Sequence, residues 1–273
     1  MSTTPQGSAL ARLWDAYAGG RETAGEELAR LVSAYARIAD WRGLRVLDLG
    51  CGDGGVGEAL RRRGARVTGL DVAPGRVQAA VRRGLAVVGG DGHRLPFAAG
   101  RFDLVVLYDV LEHVRRPAEV LREVAAVLRS GGYAYVTVPN RLSPVNMLAD
   151  PHYNVPLVGV LPRRVGAWCV TRLLRLAPDY TVERYFTWWE VTRLFRRAGF
   201  DWLEAPAGYA AKLASGAPPN APSRRWMGHL VRRPVVRAVL VRAVGTRPFR
   251  RLIAPAWRFL LRKPPHRAEP AGA

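Results

Sequence analysis

Apolar positions change rhythm at about residue 44. Before it, Leu10, Leu13, Trp14 and Tyr17, then Leu28, Leu31, Val32, Tyr35 and Ile38, recur at intervals that line one face of a helix. The Gly19-Gly20 pair predicts a break between two helices within residues 8–40. From Leu44 onward short apolar runs alternate with helical segments. The pattern predicts strands at 45–49, 66–70, 86–88, 102–108 and 133–138, and helices at 55–63, 75–83 and 117–129. The run at 102–108 is as apolar as a strand buried on both faces requires. Such alternation implies crossover units and a parallel sheet covered by helices on both sides.

Pro139 interrupts the rhythm. Residues 141–185 carry five prolines and a helical piece at 165–176, the pattern of an insertion. A helix at 187–198 and a strand at 200–204 resume the alternation. A Pro/Ser/Ala-rich loop at 214–225, a basic helical segment at 226–244 and a last strand at 256–261 follow. The expected division is a helical cap over 1–43, a core over 44–140 and a substrate-side insertion over 141–185. The rest of the sheet falls at 186–204 and 254–264, a basic, partly helical insertion at 205–253, and a disordered tail at 265–273.

Composition changes this picture mainly through charge. The 273 residues are 49% apolar, enough for a sizeable core, and carry 42 basic against 22 acidic side chains, net +20. Residues 1–150 hold 20 basic and 16 acidic groups, whereas 205–273 hold 14 and 1. The basic tail points to an anionic partner: a membrane surface, a nucleic acid or an anionic substrate. Its arginines do not gather on one side of the 226–244 helix, and aromatic–basic interleaving is thin. Membrane proximity, or an anionic or isoprenoid-linked small molecule, is therefore preferred over nucleic acid. Cys51 and Cys169 have neither disulfide-framework nor metal-type spacing, so no metal is expected. The N-terminus lacks a signal-peptide pattern, and no apolar run reaches the roughly 20 residues of a membrane span. A cytoplasmic location, peripheral to the inner membrane face, is expected.

The strongest chemical signal is Val46-Leu47-Asp48-Leu49-Gly50-Cys51-Gly52-Asp53-Gly54-Gly55, at the first strand-to-helix turn. Its glycines permit a sharp turn and close approach of a ligand to the backbone, beside the free N–H groups of a helix start. Taken alone, Gly50-x-Gly52-x-x-Gly55 also matches a dinucleotide fingerprint, and Asp71 at the end of the second strand suits a ribose diol in either case. Asp48 separates the readings. A carboxylate two residues before the first glycine is awkward beside a pyrophosphate but suits a ligand carrying ammonium and sulfonium groups. Asp91, in Gly90-Asp91-Gly92-His93, is placed to accept from an adenine amino group.

With Phe102-Asp103-Leu104-Val105-Val106-Leu107-Tyr108-Asp109-Val110-Leu111-Glu112-His113 and Gly131-Gly132-Tyr133-Ala134-Tyr135-Val136-Thr137-Val138-Pro139-Asn140 in order behind them, these motifs strongly resemble the class I S-adenosylmethionine-dependent methyltransferases. The likeness is to the small-molecule branch that includes ubiquinone- and menaquinone-type enzymes. It spans residues 44–140 and resumes at 187–204 and 254–264. The resemblance implies a Rossmann-like, doubly wound α/β sheet of seven strands in the order 3-2-1-4-5-7-6, strand 7 antiparallel. It also implies S-adenosylmethionine as cofactor. Asp48, Gly50 and Gly52 would cradle its methionine end, Asp71 its ribose, Asp91 and Gly92 its adenine. Tyr108 and Asp109 would sit beside the sulfonium.

A sulfonium methyl is already activated, so catalysis is mostly alignment, helped by a base where the acceptor is a hydroxyl. His113, after the fourth strand, and His152, in the insertion, are the candidates. Trp14, Tyr17, Asn140, Tyr185, Trp188 and Trp189 are expected to line the substrate side. Methyl transfer to oxygen or carbon of a small molecule is the expected activity. An RNA methyltransferase or nucleic-acid-docking protein, a nicotinamide oxidoreductase and a non-catalytic cofactor-binding module are the rivals.

Overall fold

Residues 45–49 and 102–108 lie side by side at the centre of one sheet. β1 (Arg45–Leu49) pairs in parallel with β2 (Arg66–Asp71) on one side and β4 (Phe102–Tyr108) on the other. β3 (Ala86–Gly89) pairs beyond β2, and β5 (Leu128–Pro139) beyond β4, all parallel. β7 (Ala256–Arg262) runs antiparallel between β5 and β6 (Asp201–Ala205). The order is β3-β2-β1-β4-β5-β7-β6, as the resemblance implies. The computed structural model describes the backbone of residues 6–205, 242 and 246–265, with side chains from residue 20 onward except 247 and 250.

Strand alternation divides the core in two. Leu47, Leu49, Val105, Leu107 and Phe259 pack on one face with Leu121, Val124 and Phe195 of the covering helices α4 (Pro117–Val127) and α7 (Trp188–Arg197). Val46, Leu104, Val106 and Leu260 pack on the other with Leu28, Ala29 and Val32 of α1 (Gln6–Ala36) and Leu60 of α2 (Gly55–Arg62). On that second face α3 (Pro74–Arg82) contributes Ala80.

Three elements differ from expectation. α1 is one helix through Gly19-Gly20. A glycine in a helix interior costs about 1 kcal/mol relative to alanine, a handicap but not a stop. Gly25 has a packing reason: a Cβ there would lie 2.6 Å from that of Ala59 on α2. The helix ends where Arg37 turns left-handed, φ 55°. α4 stops two residues early because β5 starts at Leu128, paired with Phe102, and passes an irregularity before Tyr133 meets Leu104. The predicted 165–176 helix is α6 (Arg163–Trp168) running into one wide π turn at Cys169–Leu173.

The 141–185 insertion leaves and rejoins the sheet at neighbouring points. Asn140 and Phe186 form a parallel bridge, and the Arg141 N–H donates to the Phe186 carbonyl at 2.9 Å. Between them lie α5 (Pro144–Leu148) and α6, and α8 (Arg247–Leu252) leads into β7. Nearly all of the expected 226–244 helix, and residues 266–273 of the tail, lie outside the described residues. Among the described residues no helix is long and apolar enough to cross a membrane.

Candidate active site

The reversal of strand order between β1 and β4 opens a crevice at the carboxyl ends of the strands, the usual ligand position in an open α/β sheet. The β1–α2 turn forms its floor. Gly50 and Gly52 adopt φ of 71° and 57°, the left-handed region that favours glycine. The Gly50 and Cys51 N–H groups donate to the Leu70 carbonyl at 2.7 and 3.1 Å, folding the turn back over β2. A Cβ on Gly52 would meet no atom within 4 Å, so the turn faces open space there. Asp71 pins it: Oδ2 accepts from the Gly52 N–H and Oδ1 from the Ala73 N–H, both at 2.9 Å.

Asp48 lies beneath this turn, 1% exposed, and its Oδ2 has no hydrogen-bond partner. Burial raises its pKa from 3.8 to about 7, against the opposing pull of the Arg21 guanidinium and of the Gly57 backbone N–H, which faces the carboxylate beyond good hydrogen-bond geometry. A buried carboxylate oxygen with nothing to accept from is costly unless a cationic or donor group meets it. On the loop after β3, Asp91 Oδ1 accepts from the His93 backbone N–H at 3.0 Å and lies 2.6 Å from His93 Nδ1, and these bonds lower its pKa. The Arg116 N–H donates to His93 Nε2 at 3.3 Å, tying the loop to the start of α4.

β4 ends in a strained turn. Asp109 has φ 55°, unusual for a non-glycine residue and found where surrounding structure enforces it. The Thr137 hydroxyl enforces it, accepting from the Asp109 N–H at 2.8 Å and donating to its Oδ1 at 2.6 Å. Arg21 closes the same corner from α1. Its guanidinium sits 4.7 Å from the centre of the Tyr108 ring and donates to the Tyr108 carbonyl at 3.2 Å.

Beyond Asp109 the chain and the insertion meet. Glu112 is 0% exposed and neither carboxylate oxygen has a hydrogen-bond partner, although Oε1 lies 3.9 Å from His152 Nε2, and burial drives its pKa well above the ordinary value. The Glu112 carbonyl accepts from Glu183 and Arg184, which dock the return leg of the insertion. His113 Nδ1 lies 2.9 Å from the Thr181 carbonyl, which fixes Nδ1 as the protonated nitrogen. His152 stands edge-on to His113, ring centres 4.9 Å apart, with Nδ1 2.8 Å from the Tyr185 hydroxyl, itself donating to Asp150. Burial lowers the pKa of both histidines, so both are neutral at pH 7.

The expected residues thus separate. The fold brings Asp48, Gly50, Gly52, Asp71, Tyr108 and Asp109 around one crevice, with Asp91 and Gly92 on the loop after β3, and it pairs His113 with His152. Tyr185, 5% exposed, orients His152 through its hydroxyl, while its ring packs on Gly159 beside a small cavity. Asn140 clips the strand exit in place and, with Tyr185, borders a small cavity. Its amide donates to the Leu252 and Ala254 carbonyls, which occupies both amide hydrogens, and its Oδ1 accepts from the Leu142 N–H. Trp188 packs on the core beneath Arg251, and Trp189 is half exposed on the same helix. Trp14 and Tyr17 lie on α1, their side chains outside the described residues. Sequence reasoning passed over Arg21, Glu112, Thr137 and Asp150. Glu112 and Asp150 carried a signal in their place beside His113 and His152; Arg21 reads as an ordinary solvated helix charge.

A family profile described as a methyltransferase domain matches residues 47–136. The ubiquinone biosynthesis O-methyltransferase of Xanthomonas oryzae pv. oryzae is 31% identical over 219 residues, covering 74% of this chain and 89% of that protein. Its counterpart from Xanthomonas campestris pv. campestris is 33% identical over 210 residues, covering 70% and 87%. Among solved structures, an S-adenosylmethionine-dependent methyltransferase from Mesorhizobium loti has the same fold, with a TM-score of 0.53 at 19% identity over 83% of this chain and 94% of that one.

Proposed function

The chain belongs to the class I S-adenosylmethionine-dependent methyltransferases that act on small molecules, and from that premise we propose that its acceptor is a hydroxyl oxygen of an isoprenoid-linked aromatic compound. The relatives named for ubiquinone biosynthesis support oxygen as the acceptor atom. One observation carries the reading. A partnerless buried carboxylate oxygen on Asp48, suited to a cation, and the two neutral imidazoles, suited to a hydroxyl, all feel the charge of one guanidinium, that of Arg21, which closes the β4 corner.

The residues present fit the cofactor. Asp48 Oδ2 needs a donor, and the turn leaves open space at Gly52, where a side chain would intrude. Asp48, Gly50 and Gly52 would hold the methionine end, Asp71 the ribose hydroxyls, Asp91 and Gly92 the adenine. Asp48 neutralises the ammonium, and the Asp71–Gly52 bond keeps the turn open for the ligand. Bound S-adenosylmethionine supplies an activated methyl group on a sulfonium. Tyr108 and Asp109 line the approach, the latter held rigid by Thr137. His113 and His152, each held through Nδ1, keep Nε2 as the unprotonated nitrogen and serve to draw the proton from the acceptor's hydroxyl.

The insertion is the proposed membrane-facing part. Trp168, Leu173, Leu174 and Leu176 are exposed on α6, its π turn and the segment just after, beside exposed Arg164, Arg172 and Arg175. Apolar side chains among arginines suit an anionic bilayer from which a lipid-like acceptor would be drawn. A nicotinamide cofactor is not favoured, because its pyrophosphate would face Asp48. Incubation of the protein with methyl-labelled cofactor and fractionated cell extract tests the reading. Label should enter the lipid-soluble small-molecule fraction; label confined to RNA or protein would overturn it.

A further inference from the structure

The loop after β3 is built more tightly than a connection needs to be. Gly89 lies opposite Asp71 in the β2–β3 pairing, and the Gly90 N–H donates to the Asp71 carbonyl at 3.0 Å. Asp91 therefore stands one residue beyond the point where the loop is fixed to the strand that carries Asp71. Its side chain is 65% exposed, yet one carboxylate oxygen is doubly held. The His93 backbone N–H at 3.0 Å and His93 Nδ1 at 2.6 Å both meet Oδ1, which leaves Oδ2 to accept from another donor.

His93, with its side chain only 15% exposed, is itself held from behind. Arg116 caps the start of α4 without a side-chain bond, and Pro117 after it has no N–H to offer. The Arg116 N–H has no partner within the helix and donates to His93 Nε2 at 3.3 Å. Nε2 is thus the unprotonated nitrogen, and Nδ1 carries the hydrogen that Asp91 accepts. A separate bond, from the Leu95 N–H to Glu123 Oε2 at 2.8 Å, fastens the same loop to α4. With the loop anchored at Gly90 and Leu95, what the imidazole adds is a fixed direction for the Asp91 carboxylate.

We propose that His93 is a positioning residue for the cofactor's base: it turns Asp91 so that Oδ2 accepts from the exocyclic amino group of adenine, and so selects adenine over a purine with a carbonyl at that place. The inference rests on the methyltransferase reading and on Asp91 meeting the adenine. An exposed aspartate samples several rotamers, and a ligand that needs one of them must bear the cost of fixing it. Here two donors of a single residue fix it before the ligand arrives. A hypoxanthine ring would set its carbonyl oxygen against Oδ2, two acceptors with no hydrogen between them, and the carboxylate would lose its partner. His93 touches no reacting atom and acts through Asp91 alone.

The test is calorimetric titration of the full-length protein with S-adenosylhomocysteine and with S-inosylhomocysteine, with thermal unfolding recorded to show that each variant folds. The parent should favour S-adenosylhomocysteine about 10- to 150-fold, the range of a hydrogen bond to a charged group. His93→Ala should lower that ratio at least about 3-fold, because Asp91 regains its rotamers. His93→Asn places an amide donor where Nδ1 stood and should keep the ratio. His93→Gln places its amide where Nε2 stood, within reach of Arg116 but not of Asp91, and should lose the ratio as alanine does. A residue that only steadied the loop would weaken both ligands alike and leave the ratio unmoved. Parental ratios in folded His93→Ala and His93→Gln would overturn the proposal, as would equal binding of the two ligands by the parent; the methyltransferase reading stands in both cases. Failure of the parent to bind S-adenosylhomocysteine would overturn the reading beneath it.

Discussion

Replacing Asp48 by asparagine should move stability and ligand binding in opposite directions. The side chain is 1% exposed, so its ionised form is barely screened by solvent. Burial raises its pKa from 3.8 to about 7, a penalty on the carboxylate of about 4 kcal/mol. Because the folded-state value is the higher one, this contribution to stability is complete below about pH 3.8 and is lost as pH rises to about 7. Asn removes the penalty but buries an amide of its own, at a cost of about 1–3 kcal/mol. The net gain for the ligand-free protein at pH 8 is about 1–3 kcal/mol, or a Tm about 2–10 °C higher for a chain of this size. Binding should suffer, because a contact between a carboxylate and an ammonium contributes about 1.5–3 kcal/mol. Calorimetry at pH 8 should therefore show S-adenosylhomocysteine bound about 10- to 150-fold more weakly. In the parent protein the affinity should rise with pH up to about 7 and level above it, since binding below that pH must expel the Asp48 proton. A variant with lower Tm and unchanged affinity would refute the reasoning and make Asp48 a structural carboxylate.

Other consequences are simpler to state. Gly25→Ala should lower Tm despite alanine's better helix propensity, because its Cβ would lie 2.6 Å from that of Ala59; a loss of about 1–3 kcal/mol in urea unfolding is expected, and a gain would show that α1 can shift. His152 has its folded-state pKa lowered by burial and by His113, with Glu112 and Asp150 also facing it, so its contribution is lost as pH falls below the unfolded value near 6.5. His152→Asn should therefore shrink the loss of stability between pH 7 and 5 by something on the order of 1 kcal/mol, and an unchanged pH profile would count against a buried neutral imidazole. Trp168→Ser with Leu173→Ser should reduce co-sedimentation with phosphatidylglycerol vesicles while leaving S-adenosylhomocysteine affinity unchanged; equal sedimentation of both proteins would remove the insertion from the membrane surface.

What was legible in the sequence follows from how local each feature is. β1 and β4 match their predicted limits because both are buried on two faces, so an apolar run and a strand coincide. The glycine turn and Asp71 were readable because one strand–turn–helix unit and the next strand hold them. The continuity of α1 was not, since it depends on α2 packing against Gly25. Asn140 stands at a strand exit, where polar residues commonly serve ligands, but carbonyls more than a hundred residues further along consume its amide. His113 and His152 could be named singly. Their meeting over Glu112 could not, because it requires the 141–185 excursion to close on the Asn140–Phe186 bridge and return its backbone to the Glu112 carbonyl. The charge excess was visible too, yet what the described residues add is apolar: an insertion whose exposed leucines and Trp168 accompany its arginines.

The central claim is methyl transfer to a hydroxyl oxygen in the β1–β4 crevice. Its most direct measurement is nuclear magnetic resonance of the product formed from ¹³C-methyl S-adenosylmethionine and an isoprenoid-linked dihydroxybenzene. The account predicts one labelled methoxy carbon per S-adenosylhomocysteine released, lost in Asp48→Asn at limiting cofactor. Label appearing as a methyl on ring carbon, or no transfer by protein shown to bind the cofactor, would contradict it.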